Sequence, residues 1–371
     1  MIYLDNAATT ALSPTALQRM MEVAQENYGN PSSIHQSGRK ANQCLRQSRQ
    51  EIAQILSASP EQIIFTSGGS EADTLAIQGY ALAHQSKGKH LITTAIEHHA
   101  VLHTMQYLEE RFGFEVTYIQ PVDQVITAQQ IQDTLRPDTI LVSVMFANNE
   151  TGQLLPIKEI GELLADHQAV FHVDAVQAIG KIAIAPSDYG IDFLAASAHK
   201  FHGPKGMGFL YSNVHKFDSL IHGGKQEQQH RAGTENLPAI AAMATALTEQ
   251  YESLDTHHKH ISELRQHIIE GLSGLDYYLN QAGPHLPHVL NIGFPGKLNE
   301  QLLMQLDLAG IAVSSGSACT AGVVQNSHVL EAMYGKDSHR LKESIRISLS
   351  EINTKEEIDT LIIELKKILG G

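Results

Sequence analysis

The sequence is poor in cysteine: Cys44 and Cys319 are the only two among 371 residues. Two thiols cannot build a disulfide framework, and they fall short of the roughly four thiolates that hold an iron–sulfur cluster within one chain. Whatever Cys319 does, it does as a single thiol. Basic residues are also short, 26 Lys plus Arg against 40 Asp plus Glu, for a net charge of −14. That balance argues against nonspecific nucleic-acid or anionic-membrane binding, leaving only a local basic patch as a route to either. No uncharged apolar run approaches the roughly 20 residues that span a bilayer. The opening MIYLDNAATT is neither a basic-plus-apolar leader nor an anchor, so a cytoplasmic protein is expected. Low-complexity tracts and internal repeats are missing too. The 21 histidines are scattered, and the pairs His98-His99 and His257-His258 point different ways on a helix, so no metal site is expected.

What is present is ordinary globular composition, 42% apolar and 18% charged, in a chain longer than one hydrophobic core usually serves. One large and one smaller domain are expected. Apolar runs alternate with helical patterns: Ile63–Phe65, Leu91–Thr94, Glu115–Ile119, Ile140–Phe146, Val170–Asp174, Phe193–Ala196 and Gly208–Tyr211 read as strands. Continuous apolar strands separated by helices imply an α/β fold with a mainly parallel sheet covered on both faces, and ligands in such sheets sit at the strands' carboxyl ends. Ser70, Glu97-His98, Asn149, Asp174 and Lys200 all fall where strands end.

Three of these stretches carry chemistry. In FLAASAHKFHGPKG, residues 193 to 206, an apolar strand delivers Ser197, His199 and Lys200 into a segment broken by Gly203, Pro204 and Gly206. Lys200 is then either a solvated loop lysine or a half-buried amine whose depressed pKa suits a Schiff base with pyridoxal phosphate (PLP). In IIFTSGGSEADTLAI, a strand, a glycine turn and a helix N-terminus make an anion site at Gly69 and Ser70. The G-x-G-x-x-G and P-loop patterns are both missing, which disfavours a dinucleotide or a nucleoside triphosphate. In FHVDAVQAIGK, Asp174 ends an apolar strand, where burial is costly unless it meets a cation or caps a helix. A pyridinium N–H is such a cation, and an aspartate there keeps PLP an electron sink. Gln177 is placed to reach the phenolic oxygen and His98 to stack on the ring.

Taken together, YLDNAATT, GNPSSIH, FTSGGSEADTLAI, EHHAV, NNETG, HVDAVQAIGK, SAHKFHGPKG, RAGTEN, SSGSACTAG and SIRISLS span nearly the whole chain. The sequence resembles the class V aminotransferase-type PLP family, and within it the cysteine desulfurases of the NifS/IscS group. The resemblance implies the fold-type-I architecture of PLP-dependent transferases: a mainly parallel seven-stranded sheet in a large domain, with a smaller α+β domain. It implies that Lys200 carries the cofactor, Asp174 pairs with its ring nitrogen, His98 stacks, and Gln177 reaches the phenolic oxygen. Gly69, Ser70, Ser197 and His199 hold the phosphate, joined by Thr234 from the other subunit of a homodimer. Asn149 and Arg346 bind the substrate carboxylate, with His98 and Lys200 as proton carriers. Two departures are visible. Lys225 and Gln228 replace a glycine and an arginine of the family's pattern in GGKQEQQHRAGT, and Ser350 and Glu351 replace a glycine and an arginine after Leu349.

Small residues surround Cys319 in VSSGSACTAG, which fits a reactive thiol on a loop better than a packed core cysteine. The resemblance implies that L-cysteine becomes L-alanine while sulfur leaves as a persulfide on Cys319. A sulfur-acceptor protein of an iron–sulfur, tRNA-thiolation or cofactor pathway is the implied recipient. A selenocysteine lyase, an ordinary aminotransferase and a noncatalytic sulfur carrier are the rival readings. A thiol protease leaves Asp174 and Lys200 unexplained. The expected division is an N-terminal segment, 1–12, joining the small domain, a PLP-binding domain, 13–236, and a small domain, 237–371, with the cysteine loop.

Overall fold

The computed structural model describes residues 1–316 and 326–370. Cys319 lies outside the described residues. The strands are β1 (Ile2–Tyr3), β2 (Ile63–Thr66), β3 (His90–Thr94), β4 (Glu115–Ile119), β5 (Thr139–Ser143), β6 (Val170–Asp174), β7 (Phe193–Ser197), β8 (Gly208–Ser212), β9 (Tyr278–Leu279), β10 (Val289–Gly293), β11 (Ile311–Ala312) and β12 (Ser344–Ser348). Seven of them form one sheet in the order β2-β8-β7-β6-β5-β3-β4. Only β8 runs against its neighbours; the pairs β3–β4, β3–β5, β5–β6 and β6–β7 are parallel. The architecture is α/β with a mostly parallel sheet of seven strands, as expected.

Alternation explains the burial. Ile63 and Phe65 of β2 and Leu194 and Ala196 of β7 point into one core. Ile64, Phe193 and Ala195, one residue out of phase, point into another across the sheet. Helices cover both faces, so β2, β3, β5, β7 and β8 are buried at every position. Edge strand β4 is apolar only in part and remains half-exposed. Among the described residues, no helix is long and apolar enough to cross a membrane.

A smaller antiparallel sheet, in the order β12-β10-β9, carries its own core with residues of the helices Leu254–Gly271, Asn299–Leu308 and Lys355–Leu369. Leu4 packs into this core, and β1 pairs in parallel with β11. The helix Leu237–Glu252 instead packs in the larger core through Leu237, Ile240, Met243 and Leu247. The cores thus divide one helix beyond the boundary drawn at 237. The physical reason is that this helix is buried around most of its circumference, a property of an interior helix of a large core rather than of a surface stripe.

Both departures have structural partners. Gln228 adopts a left-handed backbone, φ 57°, and its amide nitrogen donates to the carbonyl of Glu61 at 2.7 Å. Glu351 accepts a 2.7 Å hydrogen bond from Gln250, and its carboxylate lies 3.1 Å from Nε2 of His202. Despite burial, the His202 contact and this hydrogen bond hold its carboxyl down to about 2, against an ordinary value of 4.5. Because the folded value lies below the unfolded one, this stabilisation is present above about pH 4.5 and disappears as pH falls toward 2. Glu351→Gln is expected to lower unfolding free energy at pH 7 by about 1–3 kcal/mol, the cost of an unpaired buried partner. Urea titrations at neutral and acid pH check it: the gap between the two proteins should narrow in acid.

Candidate active site

The site forms at the carboxyl edge of the large sheet. Strand β7 ends at Ser197 and a single 3-10 turn, Ala198–Lys200, follows. The turn aims Lys200 back at the N-terminal segment, where Nζ donates to the carbonyls of Ala7 at 2.6 Å and Ala8 at 2.8 Å. Burial, helped by the nearby cations Arg346 and Lys181, pulls the ammonium down to about 7, against the opposing pull of Asp174 and Asp5. Near neutral pH a large share of Lys200 is therefore the free amine, the nucleophilic form.

Asp174 closes the adjacent strand β6 and is buried. One of its oxygens accepts from the amide of Val176 at 2.9 Å. Burial pushes its carboxyl up to about 6, with that amide and Lys200 opposing. Gln177 sits three residues on; its amide nitrogen donates to Ala7 O at 3.0 Å and its oxygen lies 3.2 Å from Nε2 of His288. One N–H of Gln177 is left for a ligand.

The anion cradle comes from β2 and the helix Gly69–His84. Gly68 holds φ +153°, and a side chain on Gly208 would strike its backbone, so the turn lies directly on the sheet. Ser67 N donates to Glu71 at 2.7 Å, fixing the turn. The first amides of the helix have no carbonyl ahead of them within it, which leaves Gly69 and Ser70 open to an anion. Ser197 is buried beside them, 3.6 Å from the point a side chain on Gly69 would occupy, and Nδ1 of His199 is 3.2 Å from Thr9 Oγ1.

His98 is the N-cap of the helix His99–Phe112, not part of it: its Nδ1 accepts from Ala100 N at 3.1 Å. That contact makes the neutral ring an Nε2–H tautomer. Burial, then Lys200 and the neighbouring His328 and His103, lowers it to about 4, so it meets a ligand as an uncharged aromatic. Asp73, His98 and Asp174 each bring a polar atom within 4.8 Å of the others.

Arg346 stands on β12, opposite Asn291 of β10. Its guanidinium donates to Asp5 at 2.9 Å and to the carbonyl of Asn149 at 2.8 Å. Its Nε and the Oδ1 of Asn149 are buried without partners among the described residues.

All of these residues border one cavity of 860 Å³: Gly69, Ser70, His98, Asn149, Asp174, Gln177, Ser197, His199, Lys200 and Arg346. Gly316 and His328, described residues on either side of the Cys319 segment, border it as well. Thr234 is exposed and does not line the cavity of its own chain. Four contributors went unassigned in the sequence: the carbonyls of Ala7 and Ala8, the Asp5 carboxylate, and Asp73. Only Asp73 left a signal, an acid on the apolar side of a helix whose neighbours Ala72, Leu75 and Ala76 are all core.

The cavity fits PLP: an anion cradle, a buried carboxylate for a ring cation, a neutral aromatic and a half-neutral lysine converge on it. Residues 2–361 match the family described as Aminotransferase class-V. The chain is 49% identical over 365 residues to the putative cysteine desulfurase IscS 1 of Bacillus subtilis, covering 97% of this chain and 96% of that protein. Among solved structures, a NifS-like protein superposes with a TM-score of 0.93 at 36% identity, covering 100% of this chain and 99% of the other. SspA in complex with cysteine superposes with a TM-score of 0.85 at 34% identity, covering 95% of this chain and all of that one. The chain belongs to the class-V aminotransferase family, within its IscS/NifS group of cysteine desulfurases.

Proposed function

We propose that this chain holds PLP on Lys200 and removes sulfur from L-cysteine, releasing L-alanine and loading the sulfur on Cys319. The observation that carries the reading is the convergence of a half-neutral Lys200, the Asp174 carboxylate and the uncharged His98 in one cavity with Arg346 on its wall. When bound, PLP supplies an electron sink for the bonds at the substrate Cα and Cβ. Gly69, Ser70, Ser197 and His199 would hold its phosphate, Asp174 its ring nitrogen, His98 a ring face, and the free N–H of Gln177 its phenolic oxygen.

Arg346 takes the substrate carboxylate, and Asn149, whose Oδ1 wants a donor, takes a polar N–H beside it. Lys200 would carry the Cα proton, and the neutral His98, bordering the same cavity, would be the second proton carrier. The Cys319 thiolate would attack the substrate sulfur: an S–S bond forms, the carbon–sulfur bond breaks with its electron pair left on Cβ, and one proton added at Cβ and one returned at Cα complete alanine. The persulfide then passes to a sulfur-acceptor protein. The structure of SspA with cysteine, a 34% identical relative, supports the choice of substrate. Thr234, exposed on its own chain, completes the phosphate cradle in a second copy, giving a homodimer working in the cytoplasm.

The test is the protein loaded with PLP and given L-cysteine and a thiol reductant, with alanine and sulfide measured. Yellow protein should release both. Cys319→Ser is expected to lose turnover on the order of a thousandfold or more while keeping its colour. A colourless protein, or a serine variant as active as the parent, overturns the reading.

A further inference from the structure

Behind Asp174 lies a second buried carboxyl that no step above uses. Asp73 sits one turn into the helix Gly69–His84, is 1% exposed, and still borders the cavity. Among the described residues its Oδ1 has no hydrogen-bond partner. Nε2 of His172, on β6 two residues before Asp174, stands 3.4 Å away and is partnerless as well. The other nitrogen of that ring, Nδ1, is 2.8 Å from Ser143 Oγ on β5. Ser143, His172 and Asp73 thus form a file of buried polar groups that ends beside Asp174. Buried polar groups without partners are costly, so their retention points to a use.

The other titratable groups around Asp73 are Asp174 from β6 and Glu97 and His98 from the segment after β3, with Lys200 facing Asp174 from beyond β7. Burial, then Asp174 and Glu97, drives the Asp73 carboxyl well above the ordinary range, so it starts as a neutral acid. Asp174, raised less, is the carboxylate of the pair near neutral pH. Two carboxyls this close hold one proton more readily than none.

We propose that Asp73 is a positioning residue for the cofactor's ring nitrogen: it stores the proton that Asp174 presents to that nitrogen and keeps the nitrogen charged. The reading rests on PLP as the cofactor. The O–H bond of Asp73 breaks, its proton passes by way of Asp174 to the ring nitrogen, and an N–H bond forms there. Asp73 is left a carboxylate. His172, as the Nε2–H tautomer, turns that N–H toward the carboxylate, and the Ser143 hydroxyl donates a hydrogen bond to Nδ1. The pocket thereby charges the ring without drawing a proton from solvent, which is what a buried site can least easily do.

The experiment compares PLP with its 1-deaza analogue, in which a C–H replaces the ring nitrogen. The full chain is stripped of cofactor and titrated with each by visible absorbance at pH 6 and pH 8.5. Asp73→Asn keeps the shape but cannot give up a proton. It should weaken PLP binding about tenfold at pH 8.5, equivalent to one pKa unit, and by less at pH 6, where solvent can supply the proton. Binding of the analogue should not change at either pH. His172→Gln should shift PLP in the same direction by a smaller factor, and it serves if the asparagine variant does not fold. Equal weakening of both ligands would mean a merely structural role, and unchanged PLP binding would mean no role; either overturns the inference. An unsubstituted chain that binds neither ligand refutes the PLP reading itself, and this inference with it.

Discussion

Lys200→Ala is expected to abolish the visible band of the loaded protein and to lower alanine production on the order of ten-thousandfold, because one side chain provides both the covalent anchor and a proton carrier. The cradle at Gly69 and Ser70 and the carboxylate of Asp174 are untouched, so PLP should still bind, as the free aldehyde with its own spectrum. Adding a small primary amine should restore part of the band, since the loss is of an amine and not of the pocket. The titration of Lys200 makes a second mark. Attack on the aldehyde needs the neutral amine, and with Lys200 lowered to about 7 the rate of cofactor uptake by the stripped protein should be half-maximal near pH 7 and level above it. An ordinary lysine would place that midpoint about three units higher. Stopped-flow absorbance from pH 6 to pH 10 separates the two. A midpoint near 10 would mean that Lys200 is solvated, and the argument from burial would fall.

Much of this site could be read before any coordinates, for a specific reason. The sheet is parallel and covered on both faces, so its strands are unbroken apolar runs, and a polar residue ending such a run is conspicuous. Asp174 after Phe171-His172-Val173 and Lys200 after Phe193–Ala196 stood out in this way. The N-terminal contribution did not. Ala7 and Ala8 act through main-chain carbonyls, which every residue possesses, and only the pairing of Ile2 with Ile311 and Tyr3 with Ala312 puts them over Lys200. Two-residue strands joined across some 300 positions leave no periodicity to detect. Asp5 was hidden for a related reason, since its partner Arg346 comes from the far end of the chain. The helix Leu237–Glu252 is where pattern gives least help: it is rich in alanine and buried on most sides, and such a helix carries no stripe to say which core it faces.

Arg346→Ala should raise KM for L-cysteine by a factor of about 100 to 1000 with a smaller change in kcat. Loss of one partner from a desolvated charge pair costs about 2–5 kcal/mol, and tenfold corresponds to about 1.4 kcal/mol. Among the described residues, the guanidinium meets the Asp5 carboxylate and the carbonyls of Asn149 and Gly316. Asp5 and the carbonyl of Asn149 take one terminal nitrogen each, while β10 and β12 hold the stem through paired backbone. Asp5 is the acidic partner, and its side chain is partly open to the cavity where that of Arg346 is closed. A substrate carboxylate arriving there must share the fork with Asp5 or displace it, so the arginine's planar geometry matters as well as its charge. Arg346→Lys keeps the charge and should recover only part of the loss. Cysteamine, which is L-cysteine without the carboxylate, supplies the control. The parent protein should discriminate strongly between the two, and Arg346→Ala should barely discriminate, because the group that reads the difference is gone. If the variant loses both substrates equally, Arg346 is holding the N-terminal segment through Asp5 and not reading the carboxylate. Asp5→Asn decides between these roles directly: a positioning role predicts that it copies Arg346→Ala, whereas a carboxylate-reading role predicts an unchanged or lowered KM, since the competing charge on the fork has been removed.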